Sequence, residues 1–179
     1  SIPKFLGHLK VIIKMKNLIM KTSLIITTYN WPESLELILK SILLQTEFPN
    51  EIIIADDGSK IETTNLINYY KKISNIPIIH IWQEDLDFRA SEVRNKAIKE
   101  SNYEYIIQID GDTVLHKDFI KDHKNLATKN CFISGSRVLV GKETTAKKIK
   151  NMSIHFSPFT KGIINRFNAI RLPIYNIFF

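Results

Sequence analysis

From residue 22 to residue 140 the chain alternates short apolar runs rich in β-branched residues with amphipathic stretches about a dozen residues long, the pattern of repeated β-α-β units. Strands are predicted at 23–28 (SLIITT), 51–56 (EIIIAD), 77–82 (PIIHIW), 105–110 (YIIQID) and 131–134 (CFIS). Each run is almost continuously apolar, as strands covered on both faces of a parallel sheet must be. The first helix is predicted to open at Pro32, whose fixed φ suits a first helical position, with Leu35, Leu39, Ile42 and Leu43 on one face. Ser59-x-x-Glu62 reads as a capping box for a second helix with Leu66, Ile67 and Tyr70 inward. A third helix fits residues 90–100 with Val93, Ala97 and Ile98 inward, and a fourth fits 117–127 with Phe119, Ile120 and Leu126 inward. The fold class is therefore α/β: a Rossmann-like three-layer sandwich around a mostly parallel central sheet.

Open α/β sheets bind ligands beyond the carboxyl ends of their strands. Four of the five predicted strands end in unusual polar residues: Thr27-Thr28-Tyr29-Asn30, Asp56-Asp57-Gly58-Ser59, Gln83-Glu84-Asp85 and Asp110-Gly111-Asp112. Far apart in sequence, these segments are expected to converge on one crevice.

Composition narrows the class. A chain of 179 residues that is 44% hydrophobic suits one domain with a real core. Six Gly, one Cys and the abundance of Ile and Leu exclude collagen, a disulfide scaffold and disorder. The net charge of +7 is unevenly spread. Residues 1–21 carry five Lys and no acid, residues 22–112 carry eight basic and fifteen acidic groups, and the remainder carries twelve and three. The acids thus gather where a metal or catalytic site would need them, and both ends are basic. Residues 1–20 form a basic apolar extension in which Phe5, Leu9, Ile12 and Ile13 share a helical face, the pattern of an interfacial anchor. Met15 and Met20 are candidate natural starts, and no small-residue cleavage site of a signal peptide follows. No run reaches the roughly 18 uncharged apolar residues of a spanning helix.

The candidate chemistry lies at the strand ends. Asp110 and Asp112 flank a glycine on a turn, and paired carboxylate oxygens suit Mg²⁺ or Mn²⁺ with positions left open for a diphosphate; the plainer alternative is a solvated Asp-Gly turn. At Asp56-Asp57 a carboxylate can accept hydrogen bonds from a base N–H or ribose hydroxyls, while Gly58 can simply turn the chain and Ser59 cap the helix. Tyr29 can stack on a base or cover the sheet edge, and Asn30 can be a turn former. Arg89 and Arg94, five apart, cannot share a helical face, so one of them is expected at the crevice. Arg94 is either a diphosphate ligand or a solvated charge paired with Glu92 or Asp87. His80, His116 and His123 lack metal-ligand spacing, and His80 and Cys131 are read as core. No nucleophile elbow, Walker loop or dinucleotide fingerprint is present.

In this order and spacing the motifs resemble the family 2 inverting glycosyltransferases of GT-A fold, from Ser23 to about Val140. Trp82-Gln83-Glu84-Asp85, the run Phe88-Arg89-Ala90-Ser91-Glu92-Val93-Arg94-Asn95 and Gly135-Ser136-Arg137 are similar to the branch with galactosyltransferase-like and chondroitin-polymerase-like domains. The resemblance implies a nucleotide-sugar-binding domain at 21–140 and the beginning of an acceptor-side region at 141–179. It implies a UDP-sugar donor on Thr27, Tyr29, Asn30, Asp56, Asp57, Arg94 and Asp110, with Mn²⁺ or Mg²⁺ on Asp112 and Asp110, and a glycan acceptor in polysaccharide biosynthesis. A nucleic-acid partner is not expected. The implied location is cytoplasmic, and the basic ends admit a peripheral seat at the cytoplasmic face of a membrane. The family's acidic pair bearing the general base has no match after Asp112, where the acids are Asp118, Asp122 and Glu143, so the catalytic base is left unassigned. The expectation is a chain that holds the donor half and stops before the acceptor half, with a naturally short protein second. The alternative function is a non-catalytic nucleotide-binding fragment or remnant. A sugar-1-phosphate nucleotidyltransferase would want a Gly-rich basic loop where Thr27-Thr28-Tyr29-Asn30 stands.

Overall fold

In the computed structural model, which describes residues 20–169, four of the apolar runs pair into one parallel sheet. The strands are β1 (Thr22–Thr28), β2 (Glu51–Asp56), β3 (Ile78–Trp82) and β4 (Tyr105–Asp110), in the order β3-β2-β1-β4. Helices α1 (Pro32–Leu43), α2 (Ile61–Ile73), α3 (Ala90–Lys99) and α4 (Phe119–Leu126) connect or follow them. The period-two alternation of strands sends Leu24, Ile26, Ile52, Ile54, Ile107 and Ile109 to a core shared with Leu35, Ile38, Leu39 and Ile42 of α1, Ile67 and Tyr70 of α2 and Ile120 of α4. Ile25, Ile53 and Ala55 project the other way, onto Val93 and Ala97 of α3. The sheet is thus covered on both faces, which is why its strands read as unbroken apolar runs.

The amino ends of β1 and β2 meet at the opposite end of the sheet from the candidate site. There the buried Glu51 accepts Ser23 Oγ at 2.6 Å and the Asn102 side chain and backbone N–H at 2.7 and 2.8 Å. Burial pushes the Glu51 carboxyl up, but these three donors outweigh it and hold it below its ordinary value. On α4, Phe119 and His123 pack ring to ring at 4.6 Å, and His123 Nδ1 shares a hydrogen bond of 3.0 Å with Tyr105. Burial lowers the His123 imidazole, with Asp122 opposing.

The structure departs from the sequence reading in several places. Residues 131–134 form no strand: Asn130 takes φ 63° and the Cys131 N–H turns back onto Thr128, so Cys131 is exposed and not core. The capping box does not form, because Lys60 is the residue preceding α2 and the Ser59 hydroxyl is spent on the Asn30 N–H at 2.8 Å. Ile98 and Leu126 are exposed, since the inward stripe of α3 runs through Ala90, Val93 and Ala97 and that of α4 centres on Ile120. Leu43, Leu66 and Phe119 are half-buried against the core. The chain divides into two compact units between Phe132 and Ile133. The second unit holds α5 (Lys142–Lys150), a short 3-10 turn at Arg166–Ala169, and a bridge between Val140 and Ile163, with no residue of α5 buried. The amphipathic reading of residues 1–19 and the apolar end at 170–179 lie outside the described residues. Among the described residues no helix is long and apolar enough to cross a membrane.

Candidate functional site

The strand order places a switch point between β1 and β4: the chain leaves β1 towards β2 and β3, then returns across the sheet to β4 on the other side. In register, Thr27 of β1 stands beside Asp110 of β4, and Thr28 beside Asp56 of β2, which in turn stands beside Trp82 of β3. Arg94 of α3 reaches over this end of the sheet, donating from Nε to Thr27 Oγ1 at 2.8 Å and from its terminal nitrogen to Asp110 Oδ1 at 2.7 Å. Arg89, five residues earlier, instead turns to the Glu84 carbonyl at 2.6 Å and to Glu92 at 3.1 Å. One arginine of the two therefore meets the switch point, and its partner is Asp110, neither Glu92 nor Asp87.

Gly111 allows the turn that follows. A Cβ there would stand 2.6 Å from the Thr27 carbonyl oxygen, so the need for glycine is close backbone approach to β1. That approach presents Asp110 and Asp112, both exposed, on either side of the switch-point backbone. Asp112 takes one long bond, 3.4 Å, from the Thr113 hydroxyl. Among the described residues no three His, Cys, Asp or Glu side chains gather as a complete metal site. Two exposed carboxylates nevertheless fit a hard divalent cation that draws its other ligands from water and a diphosphate, as Mg²⁺ and Mn²⁺ commonly do.

On the β2 side the acids are deeply engaged. Asp56 is fully buried, accepting the Ser59 N–H at 2.8 Å on one oxygen and meeting His80 Nε2 at 2.9 Å with the other. Asp57 accepts Gln83 Nε2 at 2.5 Å and the Arg89 N–H at 2.9 Å. Between them and the next loop, Gly58 takes φ 96° with its Cα packed on the Asp85 backbone. Tyr29 is half-exposed and donates to Asp85 Oδ2 at 3.0 Å. Asn30, at φ 45°, splices the first two loops by donating its N–H to Ser59 and accepting the Lys60 N–H at 2.9 Å. Thr27, Arg94 and Asp110 are thus in direct contact, with Asp112 one glycine beyond. Tyr29, Asn30, Asp56 and Asp57 line the neighbouring loops, tied together through Ser59, Gln83 and Asp85.

Gln83 stands at one of the strand ends expected at the crevice, whereas Lys96, His80 and Trp82 were not anticipated as members of this network. Trp82 donates its indole N–H to the Ser59 carbonyl at 3.1 Å, and Lys96 donates to Gln83 Oε1 at 2.9 Å. The available signal was the position of Trp82-Gln83 at a strand end; for Lys96 there was none.

A family model described as glycosyl transferase family 2 matches residues 23–178. The chain belongs to glycosyl transferase family 2. Its sheet and helices are those of the Rossmann-like GT-A fold. This family 2 chain is 34% identical over 91 residues to a hyaluronan synthase of Pasteurella multocida, covering 50% of this chain and 9% of that one. It is 30% identical over 159 residues to a poly-beta-1,6-N-acetyl-D-glucosamine synthase of Staphylococcus epidermidis, covering 83% of this chain and 38% of the relative. A mannosyltransferase of Pyrobaculum calidifontis, solved in complex with GDP-Man and Mn²⁺, aligns with a TM-score of 0.55 at 19% identity, over 61% of this chain and 33% of that one, and shares the fold. The chain spans less than half the length of these curated relatives.

Proposed function

We propose that this family 2 chain provides the donor-binding half of an inverting glycosyltransferase that moves a sugar from a UDP-sugar to a glycan acceptor in polysaccharide synthesis. The observation carrying this reading is the arrangement at the switch point, where Arg94 bridges Thr27 and Asp110 and Gly111 sets Asp112 against the end of β1. That arrangement offers a cation and two carboxylates where a nucleotide diphosphate must lie in an open α/β sheet. Tyr29 supplies a half-exposed ring for the base, and Asp57 a carboxylate able to accept a base N–H. Asp110 and Asp112 would hold Mn²⁺ or Mg²⁺, which when bound offsets charge on the leaving diphosphate. Arg94 adds a guanidinium that can leave Asp110 for a phosphate oxygen. The acceptor hydroxyl needs a general base, and the described acids after Asp112 do not supply an obvious one: Asp118 is buried and takes the Thr46 hydroxyl at 2.8 Å. That observation favours, as the second reading, a module that binds the donor without turning it over. With either reading goes a proposed cytoplasmic location, at the membrane face if the basic ends engage lipid.

Titration calorimetry with UDP in Mn²⁺, repeated with EDTA and with GDP or CMP, tests the donor site. Selective, metal-dependent UDP binding is expected, and equal binding of all three nucleotides would overturn the reading. Release of UDP from a UDP-sugar by the same chain would separate the first reading from the second.

A further inference from the structure

Gln83 follows β3 directly, is 5% exposed, and sits between two charged groups. Its Oε1 accepts Lys96 Nζ at 2.9 Å, and its Nε2 donates to Asp57 Oδ1 at 2.5 Å and to the Arg89 carbonyl at 3.3 Å. A lysine ammonium only donates, so the end of the amide that faces Lys96 must be the oxygen, and the nitrogen is left facing Asp57. Lys96 is steadied in turn by Glu92 at 2.8 Å, whose other oxygen takes Arg89. The second oxygen of Asp57 accepts the Arg89 N–H, so this 4%-exposed carboxylate is held by one donor on each oxygen and keeps acceptor capacity on both. The charged groups on the surrounding elements are Lys96, Glu92 and Arg89 on and before α3, Glu84 and Asp85 in the preceding loop, the latter packed on Gly58, and Asp56 with His80 on the strands.

We propose that Gln83 and Lys96 are positioning residues of the donor site: Lys96 fixes the Gln83 amide, and the amide fixes Asp57 as an acceptor aimed at a ring N–H of the nucleobase. This rests on the donor reading above and gives it a basis for choosing among pyrimidines. Uracil carries N–H at ring position 3, whereas cytosine carries a lone pair there that a carboxylate repels. A freely rotating amide at position 83 could offer its oxygen to Asp57 and push the carboxylate away. Lys96 prevents that inversion, although it touches neither Asp57 nor the base.

The test is calorimetry of the 179-residue chain with UDP and with CDP in Mn²⁺ across the acid-to-neutral range, each variant compared with the unsubstituted chain at the same pH. Gln83→Glu keeps the shape and the Lys96 contact but sets a carboxyl against Asp57, and the contact then survives only where one proton is shared. UDP affinity relative to the unsubstituted chain is expected to fall about tenfold near pH 8 and to recover near pH 5. Lys96→Met, at a side chain that is 44% exposed, is expected to cut the preference for UDP over CDP about fivefold, with Lys96→Arg restoring it. An unsubstituted chain that does not bind UDP overturns the donor reading, and this proposal with it. Where that chain binds UDP, a pH-independent ratio for Gln83→Glu or an unchanged pyrimidine preference for Lys96→Met overturns this proposal alone. Should Gln83→Glu fail to fold in a circular dichroism melt, the Lys96 pair of variants decides.

Discussion

At the scale of single residues, the candidate site separates groups that hold the loops from groups that face outward. Asp112 is exposed and engaged by one long hydroxyl bond, so Asp112→Ala is expected to leave the fold intact. It should weaken UDP binding in Mn²⁺ by about tenfold, or about 1.4 kcal/mol, and remove the effect of EDTA, both read by calorimetry. Arg94→Met removes the bonds to Thr27 and Asp110 and should weaken UDP with and without metal while leaving uridine affinity nearly unchanged. A comparable loss for uridine would assign Arg94 to the base and not to the phosphates. The buried Glu51 makes a prediction about pH. Its folded value lies below that of an unfolded glutamate, about 4.3, so its contribution to stability is complete above that pH and is lost as pH falls through the lower folded value. Glu51→Gln should cost about 1 to 3 kcal/mol at neutral pH and flatten the dependence of the melting temperature on pH in the acid range. The polar residues at the strand ends were legible because such residues interrupt otherwise apolar runs. Which partners the oxygens of Asp56 and Asp57 take was not, because that depends on His80, Gln83 and Arg89, whose approach is a property of the folded sheet.

At the scale of elements, four strands and four helices were readable from periodicity, and the failures have local causes. Ser59 carries a capping-box sequence, yet its hydroxyl is claimed by Asn30, a partner 29 residues away that local pattern cannot anticipate. Ile98 follows Ala97 by one helical step of about 100°, which turns it away from the sheet once Val93 and Ala97 have set the face. The predicted fifth strand has three apolar residues and a left-handed Asn130 ahead of it, too little to pair. In α1, Leu35, Ile38, Leu39 and Ile42 are almost wholly buried, so Leu39→Ala should destabilise the protein by about 2 to 5 kcal/mol in chemical denaturation. Helix α4 docks through a histidine kept neutral by burial. Because the folded value is lowered, its support is full above the unfolded value of about 6.5 and declines as pH drops below it, so the protection of α4 amides relative to their intrinsic exchange rate should fall from pH 7 to pH 5.5 ahead of that of the sheet. His123→Phe is expected to abolish that loss of protection.

At the scale of the whole molecule, the first unit contains the complete switch point, both faces of the sheet and every residue assigned here to the donor. A chain ending at Phe132 is therefore expected to bind UDP within about threefold of the 179-residue chain, and loss of binding with retained circular dichroism would assign part of the donor site to residues beyond it. The α/β class was legible at this scale because parallel strands buried on both faces leave an unmistakable apolar signature. The division at Phe132 was not, since no proline, glycine cluster or charge run marks it. One feature of the sheet bears on how the protein behaves in solution. Among the described residues β4 is paired on one side alone, by β1, so its outer backbone offers a row of amide donors and carbonyl acceptors to any extended segment that meets it. That edge lies beside Asp110, and a strand that added to it would also wall one side of the crevice, making recruitment of chain at the margin of the sheet and access to the donor two aspects of a single equilibrium.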